Sequence, residues 1–143
     1  MIEAIMLDAE PLGRIAHPHP NPEIAAWLEQ MLLFGVEVFL PEIADFELRR
    51  NFLLEGLGES VVRLDALKKT LTYLPLTTDV MIRAAELWAD ARKRGKPTAD
   101  PKELECDVIL AAQAEQVGAV VVTENVGHLS LFVEAKSWRD VRE

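Results

Sequence analysis

Three acidic side chains stand where a lone carboxylate is costly. In "CDVILAAQAEQVGAVVVTENVGHL", residues 106–129, Asp107 interrupts an apolar run made of Cys106 and Val108 to Ala112. Asp8 closes the short, mostly apolar run Ile2 to Leu7. Glu47 falls four residues after Ile43 and seven before Leu54, which places it on the apolar stripe of a helix. Burying a charge without a partner is expensive. Burial raises a carboxyl pKa, and mutual repulsion raises it further. A divalent cation shared by the three acids removes both costs, so the chemistry these residues suggest is that of an oxygen-ligand metal site. A second apolar run, Ala119 to Val122, ends in Thr123, Glu124 and Asn125. Thr123 is placed either to hydrogen-bond a site carboxylate or metal water, or to cap the turn. Glu10, Glu124 and Asn125 are candidates for further ligands.

The elements that would position these residues follow from local signals. Ile2 to Leu7 reads as a buried strand. "HPHPNP", residues 17–22, reads as a loop, because each proline lacks an amide proton and disfavours helix in the residue before it. A helix is expected from about Pro22 to Phe34, then a strand over "VEVFL", residues 36–40, with Pro41 suited to the next helix's first turn. That helix runs from Glu42 to about Glu55 with Ile43, Phe46, Leu53 and Leu54 at helical spacing, and Gly56 and Gly58 end it. Another covers Glu59 to Leu71, and "TYLPL" makes a short third strand. Thr78 reads as the N-cap of a helix to Arg94 closed by Gly95. Asp100-Pro101-Lys102-Glu103 resembles a capping box opening the helix that carries Asp107 and ends near Gly118. Residues 119–122 form the fourth strand, and a short fifth lies around Phe132 to Ala135. Helices alternating with short apolar strands imply an α/β fold, a three-layer α/β/α sandwich about a central parallel sheet. Ligand sites in such sheets lie at the carboxyl ends of the strands, where Asp8 and Thr123 to Asn125 fall.

The chain has 143 residues, half of them hydrophobic and 27% charged, which fits one globular domain over residues 1–143. Its apolar runs are far shorter than the roughly 20 residues that cross a membrane. Acids at Glu3, Asp8 and Glu10 replace the basic start of a secretory signal, and the single cysteine, Cys106, excludes an internal disulfide framework. A soluble, cytoplasmic protein is therefore expected. The net charge of −9 argues against holding nucleic acid by bulk electrostatics. It does not exclude a nucleic-acid enzyme, because bound metal inverts the local potential of an acid cluster.

The segments "IMLDAEPL", "LPEIADFELRR", "ECDVILAAQA" and "VVVTENVGHL", in this order along nearly the whole chain, resemble the PIN domain and within it the VapC-type toxins of bacterial toxin–antitoxin pairs. The last two segments together are the most specific. Such domains are metal-dependent ribonucleases. The resemblance implies that Asp8, Glu47 and Asp107 are the catalytic carboxylates of a Mg²⁺ or Mn²⁺ site, that RNA is the substrate, that an antitoxin is the partner, and that the toxin forms a homodimer. Ala9 and Glu10 stand where the family usually has Thr or Ser and then a small polar residue. A fourth acid often stands near the position of Asn125, so that Asn125 or Glu124 takes its place here. These departures leave open an alternative: a catalytically weak PIN-like protein that only binds RNA or a partner.

Other readings fit less well. A signalling receiver domain is also small and acidic, but "TYLPLTTD" offers no phospho-accepting Asp at the end of a central strand. A haloacid-type phosphatase needs Asp-x-Asp-x-Thr, which "DAEPL" lacks. Glu42 and Asp45 compete with Glu47, and "ELRR" favours Glu47. Arg49 and Arg50 could pair with local acids or touch phosphate. His128 reads as a loop residue, and His17 and His19 sit in a proline loop without a third ligand. "RKRGK", residues 92–96, suits either a helix C-terminus or an RNA backbone. Cys106 reads as a small core residue. No substrate-binding residue is assigned.

Overall fold

The computed structural model describes residues 2–95 and 101–142, and the side chains of the last helix before the fourth strand from Glu105 onward. Asp100 of the expected capping box and Lys96 of the basic run lie outside the described residues. The element order is β1 (Ala4–Leu7), α1 (Ala9–Ala16), α2 (Pro22–Leu33), β2 (Glu37–Pro41), α3 (Glu42–Glu55), α4 (Gly58–Thr70), β3 (Thr72–Leu74), α5 (Thr78–Lys93), α6 (Pro101–Val117), β4 (Val120–Val122), α7 (Val126–Leu129) and β5 (Ala135–Lys136), followed by a 3₁₀ turn at Trp138–Asp140. The strands form one sheet in the order β3-β2-β1-β4-β5, and every pairing is parallel.

Each central strand is buried on both faces, and alternation assigns its residues to opposite sides. Ile5 and Leu7 of β1, Val38 and Leu40 of β2, and Val122 of β4 join a cluster with Leu12, Ile15, Ile24, Trp27, Leu28, Met31, Leu48 and Leu64. This face is covered by α1, α2, α3 and α4. Met6, Phe39 and Val121 point the other way, onto Leu110 and Ala114 of α6. Helix α5 packs outside α6 through Val80, Ala84 and Leu87 against Val108, Ala111 and Ala112. The sheet is therefore clothed on both faces, as the alternation of helices and strands requires. Gln113 is fully buried within this packing. Its Nε2 donates to the Leu74 carbonyl at 2.9 Å and its Oε1 accepts from the Ile43 amide at 3.4 Å, tying α6 to the ends of two strands.

Several elements differ from the sequence expectations in ways that bear on the site. Helix α1 begins directly after Asp8, in a stretch that carries no clear helical signal. Its eight residues are too few to show a helical period, and Pro11 and Gly13 mask it further. Thr77 and not Thr78 caps α5, its Oγ1 accepting from the Val80 amide at 3.2 Å. Gly58 opens α4 and does not close α3; Gly56 alone does so, in the left-handed conformation at φ 70°. The fifth strand, expected around Phe132 to Ala135, is Ala135–Lys136, at the end of that range and one residue beyond it.

The larger correction concerns the apolar stripe of α3. Phe46, Leu53 and Leu54 are 53%, 65% and 86% exposed, so of the four residues at helical spacing only Ile43 faces the core. The buried face of α3 is Ile43, Ala44, Asp45 and Leu48. Asp45 is buried because it is paired: Arg49 Nη2 lies 2.8 Å from it and Lys68 Nζ 3.7 Å.

Candidate active site

Asp8 is placed by the sheet. Its amide donates to the Val122 carbonyl at 2.9 Å, which continues the β1–β4 pairing and sets the residue at the carboxyl edge. Its side chain then caps α1, Oδ1 accepting from the Ala9 amide at 2.7 Å, where the helix dipole favours an anion. Oδ2 accepts from the Thr123 hydroxyl at 2.7 Å, and that hydroxyl also accepts from the Asn125 amide at 2.9 Å. Of the two roles open to Thr123, it fills both: it bonds a site carboxylate and closes the turn. Burial pushes the Asp8 pKa up, the bonds from Thr123 and Ala9 pull it back, and Glu10 repulsion raises it slightly. Thr123→Val removes a buried donor from Asp8 and an acceptor from the Asn125 amide. A loss of about 1–3 kcal/mol is expected, read as a lower urea midpoint at neutral pH; an unchanged midpoint would show that the hydroxyl supports nothing.

Three acids on one turn and a half of α3 have three different fates. Glu42 Oε1 accepts from the Leu76 amide at 2.6 Å and anchors the segment after β3. Asp45 is held by Arg49 and Lys68. Glu47 alone of the three borders a pocket of about 260 Å³, together with Asp8, Ala9, Glu10, Arg50, Cys106, Asp107 and Asn125. The pocket thus gathers one carboxylate from the end of β1, one from α3 and one from α6. It also gathers Asn125, which follows β4.

The electrostatics of the pocket are those of crowded acids. Glu47 is pushed up to about 7, first by burial, then by Asp8, with Asp107 adding repulsion; Arg50 and a hydrogen bond from the Cys106 thiol oppose the rise. The Cys106 thiol is itself pushed up to about 11 by burial and by Glu47, so it stands protonated as a donor to that carboxylate. Cys106 is therefore a half-buried wall of the pocket and not simply a core residue. No sequence signal marks it beyond its position next to Asp107. Asp107 is partly buried on α6, with Val108, Leu110 and Ala111 buried beside it.

The remaining candidates divide. Glu10 lines the pocket but is exposed and paired with Arg14 at 3.0 Å. Asn125 lines it, its Nδ2 lying 3.0 Å from His128 Nδ1. Thr123 acts from behind Asp8, and Glu124 is not among the lining residues. His17 and His19 make a local turn away from the site, the His19 amide donating to His17 Nδ1 at 3.0 Å.

Among the described residues, no three His, Cys, Asp or Glu side chains are grouped tightly enough to chelate one ion outright. The donor set nevertheless fits a hard cation that keeps much of its water. Mg²⁺ is held through one or two carboxylates plus substrate phosphate, and seldom by a closed protein cage. Carboxylates spread round an open pocket, with Glu47 pushed up to about 7 by burial and by Asp8, match that mode of binding.

A parallel sheet in this order with acids from β1, α3 and α6 at its carboxyl edge defines a class, and the sequence matches the PIN domain over residues 5–130. The chain belongs to the PIN domain family. Toxin FitB of Neisseria gonorrhoeae (strain ATCC 700825 / FA 1090) is 29% identical over 132 residues, covering 86% of this chain and 88% of that toxin. The crystal structure of FitAcB from Neisseria gonorrhoeae matches with a TM-score of 0.66 at 27% identity, over 96% of this chain and 99% of that one. VapBC2 from Rickettsia felis, bound to a DNA fragment from their promoter, matches with a TM-score of 0.78 over 94% of this chain and 98% of that one. Its 17% identity speaks for the fold alone. The expected α/β fold and the resemblance to VapC-type toxins both stand. PIN domains are in general nucleases. Among the described residues, no helix is long and apolar enough to cross a membrane.

Proposed function

We propose that the protein is a metal-dependent endoribonuclease, the toxin of a toxin–antitoxin pair, with Asp8, Glu47 and Asp107 as its catalytic carboxylates. The observation that carries this reading is their meeting in one pocket from three distant segments. Asp8, fixed by Thr123 and Ala9, and Asp107 on α6 would hold a Mg²⁺ or Mn²⁺ ion with Glu47, and Asn125 or Glu10 would bond its water. When bound, such an ion supplies the charge that makes water a nucleophile at neutral pH and offsets the charge of the in-line transition state. Glu47, pushed up to about 7 by burial and by Asp8 in the absence of an ion, would give up its proton on joining the ligand set, because a neighbouring cation favours the charged carboxylate. Attack by water needs no 2′-hydroxyl, so the products carry 5′-phosphate and 3′-hydroxyl ends. Digestion of total RNA with and without Mg²⁺, with the ends mapped, tests this directly. Cleavage that is indifferent to metal, or ends bearing a cyclic phosphate, would refute it.

The pairing of related toxins with antitoxins, together with the charge of −9, supports a basic partner whose Arg or Lys reaches the carboxylate pocket in competition with metal or substrate. Homodimerisation belongs to the same reading. Asp8→Ala and Glu47→Ala should each weaken the co-purified antitoxin about tenfold or more, since a charge pair at an interface contributes on the order of 1.5 kcal/mol or above. Isothermal titration measures this, and unchanged affinity in both variants would place the partner's cations elsewhere.

A further inference from the structure

Arg49 and Arg50 are neighbours in α3 with opposite surroundings. Arg49 Nη2 lies 2.8 Å from Asp45 and 2.6 Å from Asp65, so its charge is spent inside the protein. Arg50 lines the carboxylate pocket and, among the described residues, is the only cation that does so. Acids border the same space, yet among the described residues Arg50 forms no ion pair within 4.0 Å. Its guanidinium lies instead over the ring of Phe46, one helical turn back, 5.2 Å from the centroid. That contact gives a role to a phenylalanine left 53% exposed on the surface.

We propose that Arg50 is a substrate-binding residue: its guanidinium, held over Phe46 at the rim of the pocket, grips a phosphodiester of the RNA beside Asp8, Glu47 and Asp107. This rests on the nuclease reading given above. Three arguments carry it. A polyanion approaching a protein of charge −9 meets repulsion that a cation at the point of reaction must offset. A guanidinium presents its donors as a rigid planar fork that matches two phosphate oxygens, which an ammonium cannot do. Stacking on an aromatic face one turn away limits the rotamers of a long side chain, so less freedom is lost when the phosphate arrives. Arg92 and Arg139 also lie over aromatic rings, those of Trp88 and Trp138, so what sets Arg50 apart is its place on the carboxylate pocket; a structural arginine would close on the carboxylates beside it, as Arg49 does.

The test compares the parent with Arg50→Ala, Arg50→Lys and Phe46→Leu, all at surface positions. Binding is read by fluorescence anisotropy of a short, random-sequence single-stranded RNA labelled with fluorescein. Ca²⁺ replaces Mg²⁺ so that the strand is not cut. Arg50→Ala should weaken binding about tenfold at low salt and reduce the slope of log affinity against log salt by about 0.7, the loss of one phosphate contact on a single strand. Arg50→Lys should keep the slope but recover only part of the affinity, and Phe46→Leu should keep the slope with a smaller loss. In Mg²⁺, Arg50→Ala should raise KM more than it lowers kcat. Unchanged affinity and slope in Arg50→Ala, with the parent binding RNA, would overturn the proposal and leave the nuclease reading intact. A parent that binds RNA through Arg50 but cuts none would do the reverse. A parent that binds no RNA overturns the assignment of Arg50 whatever else it does.

Discussion

Asp107→Asn should reduce RNA cleavage in Mg²⁺ by about a hundredfold or more. Residues that merely orient a metal ligand cost 10- to 100-fold when lost, so a direct ligand belongs at or beyond the upper end of that range. The substitution conserves shape, and Val108, Leu110 and Ala111, buried beside Asp107, keep α6 in place. What disappears is one of the negative charges around the pocket. Single-turnover cleavage of total RNA by parent and variant measures the effect, with circular dichroism to show that α6 persists. Equal rates in Mg²⁺ would make Asp107 structural. If neither protein cuts, a PIN-like binding module gains the advantage.

The second large effect is on stability and should change sign with metal. Glu47 has a folded-state pKa of about 7 against an ordinary 4.5. Between those values the folded protein holds a proton that the unfolded chain has released, so stability falls as pH rises from about 4.5 through 7 and the full penalty remains above 7. A tenfold difference in proton affinity between the two states corresponds to about 1.4 kcal/mol. Glu47 keeps some contact with water, and solvent screening brings the penalty to on the order of 2 kcal/mol. In EDTA at pH 8, Glu47→Gln should therefore melt higher than the parent, and Asp107→Asn no lower. Adding Mn²⁺ or Mg²⁺ should reverse the order, because an ion that binds only the folded state stabilises it by about 2.7 kcal/mol at roughly 100 times its dissociation constant. The variants should show little of that gain. Thermal melts in EDTA and in metal decide the question, and equal metal shifts in all three proteins would remove the site.

The parts of the fold and site that are legible in the sequence are those whose signals are local. The start of α2 follows from the proline loop of residues 17–22, and the ends of α3 and α5 from Gly56 and Gly95, signals that depend on immediate neighbours. Asp8 and Asp107 stand out because the first closes an apolar run and the second interrupts one. Helix α1 is not legible, since its apolar face of Leu12, Ile15 and Ala16 is short and contains Gly13, whose missing Cβ leaves room for Leu48 of α3. Glu47 reaches the pocket although the stripe that singled it out faces solvent. Pattern alone cannot tell an apolar face turned to the core from one turned outward, and here Phe46 and Leu54 are outward. For Arg49 and Arg50 the sequence leaves a local acid or a phosphate open to both, and only the structure separates them; Cys106 becomes a wall of the pocket only when α3 and α6 are set side by side, because nothing in either segment fixes their distance.

The bond between Thr123 and Asp8 spans 115 residues. A ribosome delivers β1, β2 and β3 first, and these can pair by closing comparatively short loops. The strand that supplies Thr123, and the helix that carries Asp107, emerge only after most of the chain has been made. Long-range parallel pairing is slow, since the entropy of closing a large loop must be met before the contact rewards it. The pocket is thus assembled late in synthesis and folding together. A nascent chain, or a fragment ending before β4, holds Asp8 and Glu47 but lacks the hydroxyl that orients the first of them. If the site cuts RNA as proposed, an unfinished copy still on its own messenger is poorly equipped to cut it.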